Sequence, residues 1–525
     1  MTQQHTPRPS AAGPELDGSH HARHMVRTLT WREGFVFALN MPIGLFLTLG
    51  YTVGAIGGWT AITIWAVACF FALLQNNLFA EMASMFPNKS GGISVYAYEG
   101  WKRHFAPLGA IAAFGYWMGW SLSLSVEGVV LGSLMEQAFW PDNNISVDLP
   151  GVHTLGLPYL IAIGAIMSAW ALNYFGIKIA SGVAKVTGAL LVIGLLVLCV
   201  GPFFSASANF SVDNIGWSGT QPLDWKVIVV WFYITAWTTY GTEVCASFTS
   251  EYKDPTRDSA RALRVSGVFI MGLYILVPYM MAGTLGDATI GANPVNYIGL
   301  AFDEILGSWS WLGEIPIMAA FVIAMMTATA DGGRSLYGIA TSGGTVRQLG
   351  VLNRYGVPGR ALTTDMIINI AVLLLLGEPI AILLASNLGY LSAVTLAVGA
   401  FVLLRRDKPE HSRPTKLKSY WVPIAIALFC INTFAILIGI TNPGLTGYGG
   451  VGETITGIGI LLIACVLWFI RQRFQEKSAI SWRVTDEDED EDSDNPFAPH
   501  HLDHPEAPAA ASRPDTDPDE LTTRR

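Results

Sequence analysis

The chain has 525 residues, of which 51% are hydrophobic and only 14% charged, with 17 Trp among them. That composition excludes a soluble multidomain protein and fits a chain that crosses a membrane many times. The net charge of −9 is an end effect: residues 484–525 hold 14 acidic and 3 basic side chains, which leaves the rest slightly basic.

In chain order, the first 25 residues are polar, contain Pro and His, and lack the apolar core of a cleaved signal peptide. Residues 1–33 are read as a cytoplasmic N-terminal tail, with His20, His21 and His24 as solvated side chains. Apolar runs of roughly 17 to 25 residues then predict about twelve spans. They lie near 34–56, 58–80, 107–138, 155–174, 181–203, 225–249, 263–285, 311–338, 361–377, 379–404, 420–441 and 452–470. The third and eighth are long enough to tilt or to extend beyond the bilayer. Residues 471–525, with the run DEDEDEDSD, have the composition of a disordered acidic cytoplasmic tail, and docking of a partner is the other use of such a run.

Charge sets the orientation. With both ends cytoplasmic, the inner segments collect 30 of the 31 Lys and Arg residues and leave Lys226 outside. The outer loops carry Asp142, Asp148, Asp213, Asp287, Asp303 and Glu304. This positive-inside bias predicts an even number of spans and a multi-pass plasma membrane protein. All five cysteines fall within apolar runs and read as packed thiols, with no disulfide framework and no metal site. No Walker motif, nucleotide site or catalytic triad is present, so primary pumping and covalent catalysis have no support.

A carrier of a polar solute needs hydrogen-bonding groups at mid-depth, which an intact helix cannot spare. Span one contains NMPIGLFLTLG, where Pro42 removes a donor and Gly44 permits unusual dihedrals. Span six contains TTYGTE, with Gly241 at the corresponding depth. Taken singly, these are a proline kink and a packing glycine. As a pair they predict broken helices 1 and 6 in an all-α membrane protein with a five-plus-five inverted repeat. The transmembrane domain is then 34–470, with repeats 34–203 and 225–404 and accessory helices over 420–470.

Three segments carry a family likeness: LFAEMASMFPNKSGGISVYAYEGW (78–101), WTTYGTEVCASFTSEYKDPTRDSARAL (237–263) and GGRSLYGIATSGGTVRQLGVLNRYGVP (332–358). Together, and in this order, they resemble the amino acid–polyamine–organocation permeases over about residues 30–405. The resemblance implies that Ile43, Gly44 and Leu45 occupy the span-one segment that cradles a substrate carboxylate, although two of these three are bulky here. It implies that Trp237 closes over the substrate, that Gly241 and Glu243 match the family's glycine and glutamate, and that Thr242 replaces an aromatic. The family's span-five lysine, implicated in ion coupling, falls on Leu191. The site is expected between spans one, three, six, eight and ten.

Buried charge supplies the other candidates, because a charged side chain at bilayer depth is rarely without a role. Glu243 and Glu127 are candidates for coupling to H+ or Na+, and Glu127 could equally be a packed neutral carboxyl. Asp331 is a further coupling candidate, and its spacing from Arg334 also allows a simple i, i+3 pair. Glu81 is read as an interfacial residue. Trp117, Trp120, Trp231, Trp237, Tyr233 and Tyr240 form an aromatic set, part of which could face an amine or aromatic substrate, with Tyr240 placed among the substrate contacts. The predicted function is secondary transport of an amino acid or related amine by alternating access, without cofactor, metal or nucleic acid. A polyamine or organic amine is the alternative substrate, and a channel or membrane-bound enzyme the alternative class.

Overall fold

The computed structural model describes residues 25–484, apart from 26, 40, 141, 149, 151–153, 206, 295–296, 377–378, 447–450 and 478–479. The acidic tail beyond residue 484 and the first 24 residues lie outside that set.

The chain opens with α1 (Trp31–Ala38) and α2 (Met41–Ile56), followed by α3 (Gly58–Met85) and the long α4 (Ile93–Phe139). A two-stranded hairpin, Ser146–Val147 with Leu155–Gly156, leads to α5 (Leu157–Tyr174) and α6 (Ile177–Val200). Next come α7 (Trp225–Thr239), a 3-10 segment (Tyr240–Glu251), α8 (Pro255–Leu285), α9 (Asp287–Ala292) and α10 (Tyr297–Leu306). The remainder is α11 (Trp311–Thr341), α12 (Gly359–Leu376), α13 (Pro379–Asp407), α14 (Trp421–Thr441) and α15 (Val451–Ile470).

Among the described residues, ten helices are long and apolar enough to cross a membrane. The chain is therefore a nearly all-helical, multi-pass membrane protein. The run expected near 225–249 is divided between the 15 residues of α7 and the 3-10 segment, and the run near 361–377 is covered by α12.

Helices in a bilayer gain little from apolar burial against one another, so close backbone approach matters more. Glycines supply it here. A Cβ on Gly54 of α2 would stand 2.7 Å from the Cα of Gly291 in α9, and one on Gly115 of α4 would stand 2.7 Å from the carbonyl oxygen of Gly389 in α13. The turn before α4 uses glycine for its conformation, with Gly91 at φ +106° and Gly92 at φ +53°. Asp287 accepts from the amides of Gly58 (2.7 Å) and Gly216 (2.8 Å), which places a carboxylate against the start of α3. Burial pushes this carboxyl above its ordinary range while the two amides pull it back.

The cytoplasm-facing segments of the sequence reading are tied down by backbone pairing. The amides of Thr28 and Leu29 both donate to the Glu251 carbonyl at 3.0 Å, and that of Lys253 donates to Leu29 at 2.8 Å. Thr30 then caps α1 through a reciprocal capping box with Glu33. At the other end of the chain, α4 breaks at Phe105 (φ −155°, ψ 91°), just before Pro107, which has no amide hydrogen. The segment after α15 fills that break. Ala106 donates to the Trp482 carbonyl (2.9 Å) and Val484 to the Lys102 carbonyl (3.0 Å), while Phe105 stacks on Trp482 with ring centroids 5.9 Å apart. Residues 471–475 are helical, so the first part of the expected tail has a definite structure.

Candidate functional site

The site begins where two helices give out. α1 ends at Ala38 and α2 starts at Met41, with Pro42 in its first turn, where a missing amide hydrogen costs nothing. α7 passes into 3-10 geometry at Tyr240, immediately after Thr238 and Thr239. The hydroxyls of both threonines bond back to the Thr235 carbonyl at 3.0 Å, a competition that weakens regular helix.

The two interruptions touch. A Cβ on Gly44 would lie 2.9 Å from Cγ2 of Thr238, and one on Gly241 only 2.2 Å from Sδ of Met41. Neither glycine has a positive φ. The expectation that Gly44 serves unusual dihedrals is thus corrected: it lies in regular helix, and both glycines provide room for the crossing. One hydroxyl binds the pair, since Tyr274 Oη of α8 is 2.6 Å from the Met41 carbonyl oxygen and 3.1 Å from that of Thr238.

Beside this crossing is a small cavity, walled by four segments of the chain. Met41, Gly44 and Leu47 of α2 line one side, and Trp237, Thr238 and Gly241 line another. α4 contributes Gly119, Trp120, Ser123 and Glu127, at helical spacing along one face, and Tyr390 of α13 completes the wall. Among the described residues, no Lys, Arg or His lines it.

Four carboxyl groups are buried in this part of the bundle. Glu127 is 6% exposed, and its Oε2 has no hydrogen-bond partner among the described residues. Glu243 is fully buried just behind the wall, where its Oε1 accepts from Tyr390 Oη (2.7 Å) and Trp120 Nε1 (3.1 Å). Asp365 on α12 accepts from Trp117 Nε1 at 2.8 Å. Among the described residues, Asp331 on α11 has neither oxygen paired within hydrogen-bond distance, and Ser247 and Tyr116 face it. Among the described residues, no group of three or more His, Cys, Asp or Glu side chains is placed to hold a metal ion.

The structure sorts the residues singled out from the sequence. Gly44, Trp237, Gly241 and Glu127 meet at the cavity. Ile43 and Leu45 point away into the core at 1% and 0% exposure, as helical spacing on either side of Gly44 requires. Tyr240 also stands off the wall and donates to Asn432 Oδ1 of α14 at 2.9 Å. Leu191, in the position of the family lysine, is buried in the apolar core. Of the remaining aromatics, Trp231 donates to Gln221 and Tyr233 packs in the core.

Three readings need correction. Arg334 does not pair with Asp331. It makes a two-pronged pair with Glu251, with Nη2 to Oε2 at 3.0 Å, over the ring of Phe248, and both side chains are 1% exposed. Its Nη1 donates to the Ala330 carbonyl at 2.8 Å. Glu81 is not interfacial: it is fully buried, held by Arg405 and by the amide of Leu417 at 2.7 Å. The five cysteines are not all packed inside, because Cys430 of α14 is exposed on the helix surface.

Tyr274, Tyr390, Asp365 and Glu251 went unrecognised in the sequence. Tyr274, Tyr390 and Asp365 had a signal, being polar groups inside apolar runs, but nothing in the sequence says which carbonyl or carboxylate each will meet. Glu251 was legible as part of SEYKDP, yet its partner is 83 residues away.

A family model described as "Amino acid permease" matches residues 29–474. Curated relatives agree. The amino-acid permease RocE of Bacillus subtilis (strain 168) is 25% identical over 358 residues, covering 66% of this chain and 73% of that protein. The lysine-specific permease LysP of Lactococcus lactis subsp. cremoris is 23% identical over 453 residues, covering 79% and 83%. The branched-chain amino acid permease BcaP of B. subtilis is 25% identical over 455 residues, covering 83% and 90%.

Proposed function

This chain belongs to the amino acid permease family, and on that footing we propose that it carries an amino acid across the plasma membrane by alternating access. The observation that carries this reading is the position of the cavity. It adjoins the start of α2 and the end of regular helix in α7, with Gly44 and Gly241 in its walls.

Those two ends suit a zwitterion. The first amides of α2 have no partners within the helix and form its positive end, which favours a carboxylate. The carbonyl end of α7 is its negative counterpart and favours an ammonium group. In this reading α1–α2 and α7 with its 3-10 continuation are the discontinuous helices of two inverted five-span repeats, in a bundle of about twelve spans with both termini cytoplasmic. Trp237 closes over the bound substrate. Coupling to H+ or Na+, or obligatory exchange, drives the cycle, with Glu243 as the first coupling candidate and Glu127 and Asp331 behind it.

An organic amine lacking a carboxylate is the second reading, favoured by Glu127 in the cavity wall. The test is reconstitution into proteoliposomes and measurement of labelled amino acid uptake. Saturable uptake stimulated by unlabelled amino acid on the opposite side is expected. Flux that neither saturates nor responds to counterflow would mean a channel, and counterflow driven by amines alone would replace the amino acid with the second reading.

A further inference from the structure

We propose that Glu127 is the subsite for a cationic group at the far end of the substrate, so that the cavity takes a basic amino acid of the lysine or ornithine type. This rests on the amino acid reading above and adds the substrate class.

The cavity is polar in an uneven way. Among the described residues, Glu127 is the one carboxylate in its wall, and no cationic side chain balances it there. A buried carboxylate oxygen without a donor carries the full cost of its lost water. Glu127 Oε2 has no donor within hydrogen-bond distance among the described residues, with the Ser123 hydroxyl one turn earlier on α4 as the polar side chain that faces the carboxyl. Glu243 offers the contrast. It lies behind the wall, and two donors, Tyr390 and Trp120, already engage one of its oxygens. Glu243 Oε2 is likewise unpaired among the described residues, but Glu243 is outside the cavity lining, whereas Glu127 is part of it.

The spacing along α4 gives the ligand its length. Trp120 stands at the crossing of the two interrupted helices, since a Cβ on Gly241 would come within 3.4 Å of its ring and 2.2 Å of Met41. Glu127 is seven residues further on the same helix face, about 10 Å along the axis. A substrate whose carboxylate and α-amino group sit at the crossing must therefore extend a chain to reach it. Leu47 and Trp237 border the path, an apolar and aromatic lining that suits a methylene stem ending in a cation.

The test compares L-lysine with L-norleucine, which keeps the stem and loses the ammonium, as competitors of amino acid counterflow and as stabilisers in thermal shift. The full-length protein is used, with cadaverine as a third probe. Wild type should bind lysine at least about tenfold more tightly than norleucine, the range of a hydrogen bond to a charged group. Glu127→Gln should abolish most of that preference by weakening lysine and sparing norleucine, and Glu127→Asp should restore part of it. A wild type that prefers norleucine, or a Glu127→Gln variant with the lysine preference intact, overturns the subsite. Binding of neutral amino acids alone would do so while leaving the amino acid reading standing. Binding of cadaverine without lysine would remove the amino acid reading and retain the subsite.

Discussion

The hydroxyl of Tyr274 lies 2.6 Å from the carbonyl oxygen of Met41, the first residue of α2, and reaches the Thr238 carbonyl as well. A single proton is thereby shared between the two places where regular helix stops. Tyr274→Phe removes it and leaves two buried carbonyls short of a donor. The expected loss is about 1–3 kcal/mol, seen as a lower midpoint in thermal unfolding in detergent. Transport should fall further than stability, because the relative placement of α2 and α7 is loosened. An unchanged midpoint would show that water or a neighbouring group replaces the hydroxyl.

The Arg334–Glu251 pair is buried from both sides. Arg334→Ala strands a carboxylate, and breaking such a pair costs about 3–5 kcal/mol. Lys cannot reproduce the fork and should recover only part. The informative comparison is the double variant Arg334→Met with Glu251→Met, which should be markedly more stable than Arg334→Ala alone. If the effects of Arg334→Met and Glu251→Met made singly were simply additive in the double, the side chains would not be coupled.

Trp237→Ala should abolish or severely weaken uptake in folded protein, while Trp237→Phe keeps part of it. The basis is its place in the cavity wall and its proposed closing role. Normal kinetics in the alanine variant would reduce Trp237 to packing.

Glu243→Gln keeps an acceptor for Tyr390 and Trp120 but cannot exchange a proton. Counterflow should survive largely intact, since it needs no net ion movement. Accumulation driven by an imposed pH gradient should be lost. The two assays are run on the same vesicles, and gradient-driven accumulation by the variant would leave Glu243 with a purely structural part.

Two glycines separate tight packing against backbone from tight packing against a flexible side chain. A methyl on Gly54 meets the backbone of Gly291, whereas one on Gly241 meets the sulfur end of Met41. Gly54→Ala should therefore destabilise by about 1–3 kcal/mol, the range for overpacking, and no rotamer change relieves it. Gly241→Ala should be much milder in thermal unfolding, and Met41→Ala in the same chain should relieve it. Equal effects of the two substitutions would contradict the distinction.

The parts of this architecture that depend on composition were legible in the sequence. Long apolar runs separated by basic or acidic loops locate the spans, because bilayer thickness and charge transfer act on each segment alone. Gly44 and Gly241 were singled out for their dihedral freedom, whereas the structure uses them for close packing: the sequence shows that Cβ is missing but not what occupies its space. Arg334 illustrates the same limit. Its near neighbour Asp331 was the obvious partner by helical spacing, and the actual one, Glu251, is set by how α11 packs against the 3-10 segment. Glu127 was found as an isolated charge, yet its place in the cavity wall and the free oxygen follow only from the three-dimensional packing.

The insertion of Trp482 and Val484 into the break of α4 has a consequence for the order of assembly. Arg483 also donates to the His104 carbonyl, 379 residues earlier in the chain. At roughly 5–20 residues per second, the ribosome takes tens of seconds to make that intervening stretch. Throughout that interval the break at Phe105 in α4 has neither its backbone partners nor its stacking ring. Its completion falls to residues 482–484, so a chain that stops before them leaves α4 unfinished at its break.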